Sequence, residues 1–265
     1  MTLTTMQMYR SGCKLWLLLC FCQIGARTYA QDSRIYAVVV GIADYLHNNP
    51  VSGLKDLNFC DDDARAMHQF LSRTNAHVVL LTDAQATKRN ILQAMTRVFG
   101  MASEKDKLLF FFSGHGSPQG FIPHDFNSNN FLFHSEIKAL FKQSKARLRV
   151  CIADACHAGS IKQRTTHSRA PGDNQKTLKS SPEVVVIMSS RSEEVSQEDP
   201  QLQRGVFTYF LLKALSGRAD ANNDRKISIT ELFNYLSNQV AIYTNQEQHP
   251  IIFGRFDKNM IIVNY

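Results

Sequence analysis

Two short stretches of the sequence hold residue types that could do chemistry together. Ser113-Gly114-His115-Gly116 follows the apolar run Leu108-Leu109-Phe110-Phe111-Phe112, and Asp154-Ala155-Cys156-His157-Ala158-Gly159 follows Arg149-Val150-Cys151-Ile152-Ala153. A free thiol has a pKa of about 8.5 and is mostly protonated at neutral pH; an adjacent imidazole can take its proton and leave a strong nucleophile. Cys156 is therefore the candidate nucleophile and His115 its base, which later protonates the leaving amine. The oxyanion formed on attack needs donors, and the backbone N–H groups of Gly116 and Cys156 are the candidates, being next to the pair on glycine-relaxed turns. This chemistry requires no cofactor. Cys151, in mid-strand, reads as packing, and His157 as structural or exposed.

The surrounding pattern must bring the two stretches together. Short apolar runs predict strands at 36–41, 77–81, 108–112, 148–153 and 184–188, and 260–263 could be a last one. Amphipathic stretches predict helices at 61–72, 88–99, 135–143, 206–215 and 229–240; in the first of these Ala64, Met67, Phe70 and Leu71 share one face. Strands alternating with helices mean an α/β fold, a mostly parallel sheet with helices on both faces. Ligands of such sheets bind beyond the carboxyl ends of the strands. If the strands before His115 and Cys156 are neighbours, both residues reach one crevice.

The bulk composition narrows the setting. With 265 residues, 44% hydrophobic and 20% charged, the chain is ordinary for a globular protein. Residues 1–30 differ: Arg10 and Lys14 precede the apolar run 15–22, and Thr28-Tyr29-Ala30 follows. This is the pattern of a secretory signal peptide cleaved after Ala30, leaving 31–265 as a single exported domain, periplasmic or secreted. The apolar run is far short of the roughly 20 residues that span a bilayer, so stable membrane insertion is not expected. Three of the six cysteines leave with the signal, and an odd remainder of Cys60, Cys151 and Cys156 argues against a disulfide scaffold. Loss of Arg10, Lys14 and Arg27 takes the net charge from +7 to +4. Residues 160–182 carry a net +4 of their own (Lys162, Arg164, Arg169, Lys176 and Lys179 against Asp173). The excess charge belongs to one loop without apolar periodicity, not to a basic face, so nucleic acid is not an expected partner.

The paired motifs at 113–116 and 154–159 resemble the His and Cys motifs of the caspase-like clan, closest to metacaspases and their bacterial relatives. The resemblance extends through Tyr36 to Tyr45, Gly120 to Asp125 and Gly205-Val206-Phe207-Thr208-Tyr209. It implies the caspase fold, a three-layer sandwich around a central, mainly parallel six-stranded sheet, and a cysteine endopeptidase. It also implies specificity. Metacaspases cut after Arg or Lys, and their acidic S1 pocket is matched here by Cys60, Asp63, Ser113 and Asp154. Two carboxylates facing one cation give charge-assisted hydrogen bonds and repel acidic side chains. The acids also have plainer readings: Asp61, Asp62 and Asp63 suit a helix N-terminus, and Asp154 could bond the backbone of its turn; Arg191, after another strand end, could line a pocket that prefers acids.

Two further stretches carry expectations. The basic loop 160–182 is a candidate self-processing site or cover over the cleft, or a solvated surface loop. Residues 220–231 fit the EF-hand template at Asp220, Asn222, Asp224, Ser228 and Glu231, with Arg225 where the template has Gly. Two readings stand side by side there: a calcium loop, or a helix start in which Ser228 and Glu231 form a capping box and Ile227 and Leu232 a hydrophobic staple. The acidic cluster that serves calcium in metacaspases is reduced here to Asp125. Two functional alternatives stay open: a non-catalytic peptide-binding member of the fold, disfavoured by the presence of both Cys156 and His115, and another thiol hydrolase, an amidase or transpeptidase.

Overall fold

The structure, a computed structural model, describes residues 33–47, 54–127, 130–155, 184–254 and 256–265. The signal segment, Cys156, His157 and the loop 160–182 lie outside the described residues.

The elements in chain order are β1 (Ile35–Gly41), α1 (Cys60–Leu71), β2 (Ala76–Thr82), α2 (Lys88–Gly100), β3 (Lys107–Ser113), β4 (Gly120–Phe121), β5 (Leu132–Phe133), α3 (His134–Gln143), β6 (Leu148–Asp154), β7 (Val185–Met188), β8 (Glu198–Asp199), β9 (Arg204–Gly205), α4 (Val206–Lys213), β10 (Lys226–Ser228), α5 (Ile229–Tyr243), β11 (Ile251–Phe253) and β12 (Ile261–Asn264). Six strands form the central sheet in the order β11-β7-β6-β3-β1-β2. Every pairing is parallel except that of β11 with β7.

The strand sequences are apolar nearly throughout because both faces of the sheet are covered. Alternation then divides each strand between two cores. Val39, Phe111, Ile152 and Ile187 face a layer built by α1, α4 and α5, including Met67, Phe207 and Leu232. Val38, Phe110, Phe112 and Met188 face the opposite layer with α2 and α3, including Met95, Phe99 and Phe141. The expected three-layer sandwich is present, and the predicted helices and first five strands match to within a few residues.

The expected last strand is present, but it does not join the central sheet. Residues 261–264 form β12, which pairs with β10 outside the sheet, while β11 completes the sheet as an antiparallel edge. A three-residue run behind Pro250 carries too little alternation to be read as a strand. The hairpins β4–β5 and β8–β9 escape for the same reason, having two residues per strand. Among the described residues no helix is long and apolar enough to cross a membrane.

Phe111 is fully buried in the centre of β3. Phe111→Ala is expected to destabilise the domain by about 3–5 kcal/mol in a denaturant titration, through lost burial and an unfilled cavity.

Candidate active site

The site is laid out by one register. β3 and β6 pair in parallel with Ser113 opposite Asp154, so the two motifs leave the sheet side by side at its carboxyl edge. Parity decides which way the last residues of each strand turn. Ser113 follows Leu109 and Phe111, and Asp154 follows Val150 and Ile152, so both face the α1–α4 layer. There Ser113 Oγ donates to Asp63 Oδ2 at 3.0 Å. Asp154 Oδ2 accepts from the N–H and hydroxyl of Thr208 at 3.1 and 2.7 Å, and its Oδ1 accepts from the Ser196 hydroxyl. Cys60, the first residue of α1, has its thiol in contact with Ser113 and its Sγ 3.8 Å from Glu198 Oε1. The structure therefore gathers all four residues expected to line an S1 pocket.

Gly205 separates the two carboxylates. Its N–H donates to both oxygens of Asp63 at 3.2 and 3.3 Å. A Cβ at this position would come within 2.5 Å of Asp154 Oδ2 and 2.8 Å of Asp63 Oδ2, so no other residue fits between them. Both acids are buried, at 1% and 5% exposure. Burial, with the charge of Asp154 adding to it, holds Asp63 well above the usual carboxylate range. Burial also raises Asp154, and the charge of Glu198 adds to that, against the hydrogen bonds from Ser196 and Thr208. The Asp63 carboxyl is eased by Arg204, whose guanidinium donates to the carbonyl of Asp62.

His115 is held at three points. Its backbone N–H donates to Tyr45 Oη at 2.8 Å, and its ring lies 5.0 Å from that of Tyr45. Gly114 makes this approach possible: it sits at φ +154°, and a Cβ there would stand 2.9 Å from the same hydroxyl. The ring Nε2 is 2.7 Å from the carbonyl oxygen of Lys55. A carbonyl can only accept, so Nε2 carries the hydrogen in the neutral ring and Nδ1 carries the lone pair. Burial moves the imidazole below its ordinary pKa. Beyond it, Ile122 N–H donates to the His115 carbonyl and Ser117 N–H to the Gly120 carbonyl. These bonds flank the Gly116–Phe121 bridge, so the Gly116 N–H is turned away from β4. Description of the second motif stops at Ala155, whose N–H donates to Ser189 Oγ at 3.1 Å; Cys156 follows outside the described residues.

Residues read in other ways fall into place. Cys151 is buried in β6 with its thiol pushed up to about 12 by desolvation, as expected of packing. Arg191 is exposed and paired with Glu194 at 3.4 Å. In the 220–231 loop, Asp220 accepts from the N–H groups of Asp224 and Arg225 and from Tyr265 Oη, and Asn222 and Asp224 accept from the loop backbone. Ser228 and Glu231 form the capping box, with Ile227 and Leu232 fully buried beside it. Arg225 takes φ +61°, the left-handed conformation the template assigns to Gly. Among the described residues no three or more His, Cys, Asp or Glu side chains gather to hold a metal ion. Calcium at this loop stays a sequence expectation, and no step below runs through it. Thr208, Ser196, Tyr45 and the Lys55 carbonyl were given no role by the sequence; Thr208 and Tyr45 lie in the 205–209 and 36–45 runs that carried the family resemblance, and Ser196 and Lys55 carried no signal.

The sequence profile of the caspase domain matches residues 34–261. This chain belongs to the caspase-domain family. The family is one of cysteine peptidases, so protein is the substrate class it implies. The caspase domain is similar to Metacaspase-1 of Ajellomyces capsulatus (strain NAm1 / WU24), at 28% identity over 150 residues. That match covers 47% of this chain and 40% of the relative, well under two thirds of its length. The crystal structure of protein GSU0716 from Geobacter sulfurreducens shares the fold, with a TM-score of 0.58 at 16% identity over 83% of this chain and 92% of that one.

The raised carboxylates make a stability prediction for this caspase domain. A carboxyl whose folded pKa lies above its unfolded value binds its proton more tightly when folded, so its contribution falls as pH rises from the ordinary aspartate range through the raised value. Asp63→Asn is therefore expected to melt higher than wild type at neutral pH, with the difference closing below about pH 4. Melting curves of the pair against pH, read as a difference, check this; a lower-melting variant at neutral pH would refute it.

Proposed function

We propose that this caspase domain is an endopeptidase cutting after Arg or Lys, with Cys156 as nucleophile and His115 as base. The observation that carries the reading is the pair of buried carboxylates, Asp63 and Asp154, converging on Gly205 beside the ends of β3 and β6. Two like charges in a desolvated pocket repel each other, and a guanidinium or ammonium entering between them relieves that repulsion. An acidic side chain would add to it.

The reaction follows from the groups at the cleft. His115 Nδ1 takes the proton of the Cys156 thiol, and the thiolate attacks the carbonyl carbon of the scissile bond. Negative charge moves to the carbonyl oxygen, which the N–H groups of Gly116 and Cys156 receive. The intermediate collapses, the C–N bond breaks, and the Nδ1 proton goes to the leaving amine. Water then attacks the thioester with His115 again as base; the C–S bond breaks, releasing the acid product and regenerating the thiol. Support for the base assignment is the Lys55 carbonyl on Nε2, which leaves the lone pair on Nδ1. The low imidazole pKa keeps the ring neutral and ready to accept at neutral pH.

Peptides differing only at P1 test this. The expected outcome is hydrolysis after Arg and Lys, none after Asp, and loss of activity in Cys156→Ala and His115→Ala. Asp154→Asn should lower kcat/KM for the Arg peptide on the order of 10²-fold, since one charged partner of a buried pair is removed. Hydrolysis of the Asp peptide in preference to the Arg peptide would refute the specificity. With cleavage after Arg or Lys, the basic stretch with Lys162, Arg164, Arg169, Lys176 and Lys179 becomes a substrate in cis. Mass spectrometry of wild type should show cuts after these residues that Cys156→Ala lacks; identical masses would refute self-processing.

A further inference from the structure

Glu198, on β8, spans the sequence to hold the segment that precedes α1. Its Oε1 and Oε2 each accept from the Asn58 N–H at 3.1 Å, Oε2 accepts from Asn58 Nδ2 at 2.9 Å, and Oε1 accepts from the Phe59 N–H at 2.8 Å. Phe59 is the N-cap of α1 and offers no capping oxygen of its own. The carboxylate thus meets amides that a helix start otherwise leaves unsatisfied, where negative charge is favoured. Three residues back along the same segment, the Lys55 carbonyl meets His115 Nε2 at 2.7 Å. Between these points, Asp56 Oδ1 accepts from Tyr45 N–H at 3.0 Å, and Leu57 N–H donates to the Ala43 carbonyl at 2.9 Å. Residues 55–59 are therefore pinned from the β1 side at their middle and by Glu198 at their end, and their free product is the carbonyl that orients the imidazole.

We propose that Glu198 is a positioning residue of the reaction: by clamping the Asn58 and Phe59 amides it holds the Lys55 carbonyl on His115 Nε2 and keeps the Nδ1 lone pair aimed as base. The inference rests on the reading of His115 as the base. It goes beyond helix capping because the clamped segment contributes directly to the imidazole, and because Glu198 also acts on His115 through space. The charged groups acting on the ring are Lys55, which lowers its pKa, and Glu198 and Asp56, which raise it; the Tyr45 hydroxyl bonds the backbone N–H. Loss of Glu198 removes an attractive charge and loosens the Lys55 carbonyl bond. Both changes move the His115 titration to lower pH.

The test uses the full chain with Glu198→Ala and Glu198→Gln, assayed with a peptidyl-arginine amide across pH, together with NMR titration of the His115 ring assigned by its absence in His115→Gln. The expected result for Glu198→Ala is a fall in kcat of about tenfold, the scale of a slightly misplaced catalytic group. The acid limb of kcat/KM should move to lower pH; KM for the arginine substrate also reads the contact of Glu198 with Cys60, so the fall in kcat and the moved limb carry the test. Glu198→Gln keeps an acceptor oxygen without the charge, so it should recover part of kcat while retaining the shifted limb. Unchanged kcat, a rise in KM alone, or a fall in kcat with an unmoved His115 titration would each overturn the proposal. If Glu198→Ala does not fold, Glu198→Gln and the NMR titration decide. Wild-type activity that survives His115→Ala would instead overturn the functional reading, and the NMR titration, which needs no turnover, would still test the link from Glu198 to His115.

Discussion

Everything at the cleft depends on the in-register parallel pairing of β3 with β6. Ser113 lies opposite Asp154, so both strands end at the same level and both motifs emerge together. The period of two along each strand then sends Ser113 and Asp154 into the α1–α4 layer, while Phe112 and Ala153 turn to the other. A slip of one residue would exchange these faces, placing a serine and an aspartate among phenylalanines and removing them from Asp63 and Thr208. The register is favoured because a slip would send Ser113 and Asp154 into the apolar α2–α3 layer, away from the partners that satisfy them. Core packing and pocket composition are one constraint.

The pocket is an unfavourable arrangement held by a favourable one. Both carboxyls sit above their ordinary range because both are desolvated, with the charge of Asp154 adding to this at Asp63 and that of Glu198 at Asp154. Ser113, Gly205, Thr208 and Ser196 supply hydrogen bonds to them, and the surrounding apolar layers keep α1 and α4 in place. The cationic P1 side chain proposed above would relieve this tension. Gly205 is the geometric counterpart, since any side chain there would occupy the space between the acids.

His115 is a different case, a side chain governed by segments far from it in sequence. Tyr45 from the chain after β1 fixes its backbone, the Lys55 carbonyl fixes its ring, and the β4 hairpin fixes the strand end behind it. Glu198, more than eighty residues further on, ties down the segment bearing that carbonyl. None of these partners is itself a reactive group. Their combined effect is to choose the tautomer and direction of the imidazole, which general base chemistry needs as much as a suitable pKa.

Much of this was legible in the sequence. Apolar runs of strand length alternating with amphipathic stretches determine the parallel α/β class, because burial on both faces demands near-continuous apolar strands. The glycine-flanked His115 was readable because its motif abuts a strand end, whereas Cys60, Asp63, Ser113 and Asp154 were legible as a pocket only through the family resemblance. What only the tertiary structure decided are the contacts between distant segments: Thr208 and Ser196 on Asp154, Lys55 and Tyr45 on His115, Glu198 on Asn58 and Phe59, and β11 as the sixth strand. Hydrogen bonds of this kind leave no periodicity, since one polar residue in a loop looks like any other until the fold brings its partner to within 3 Å. Sequence pattern encodes which face a residue shows; the packed sheet decides what that face meets.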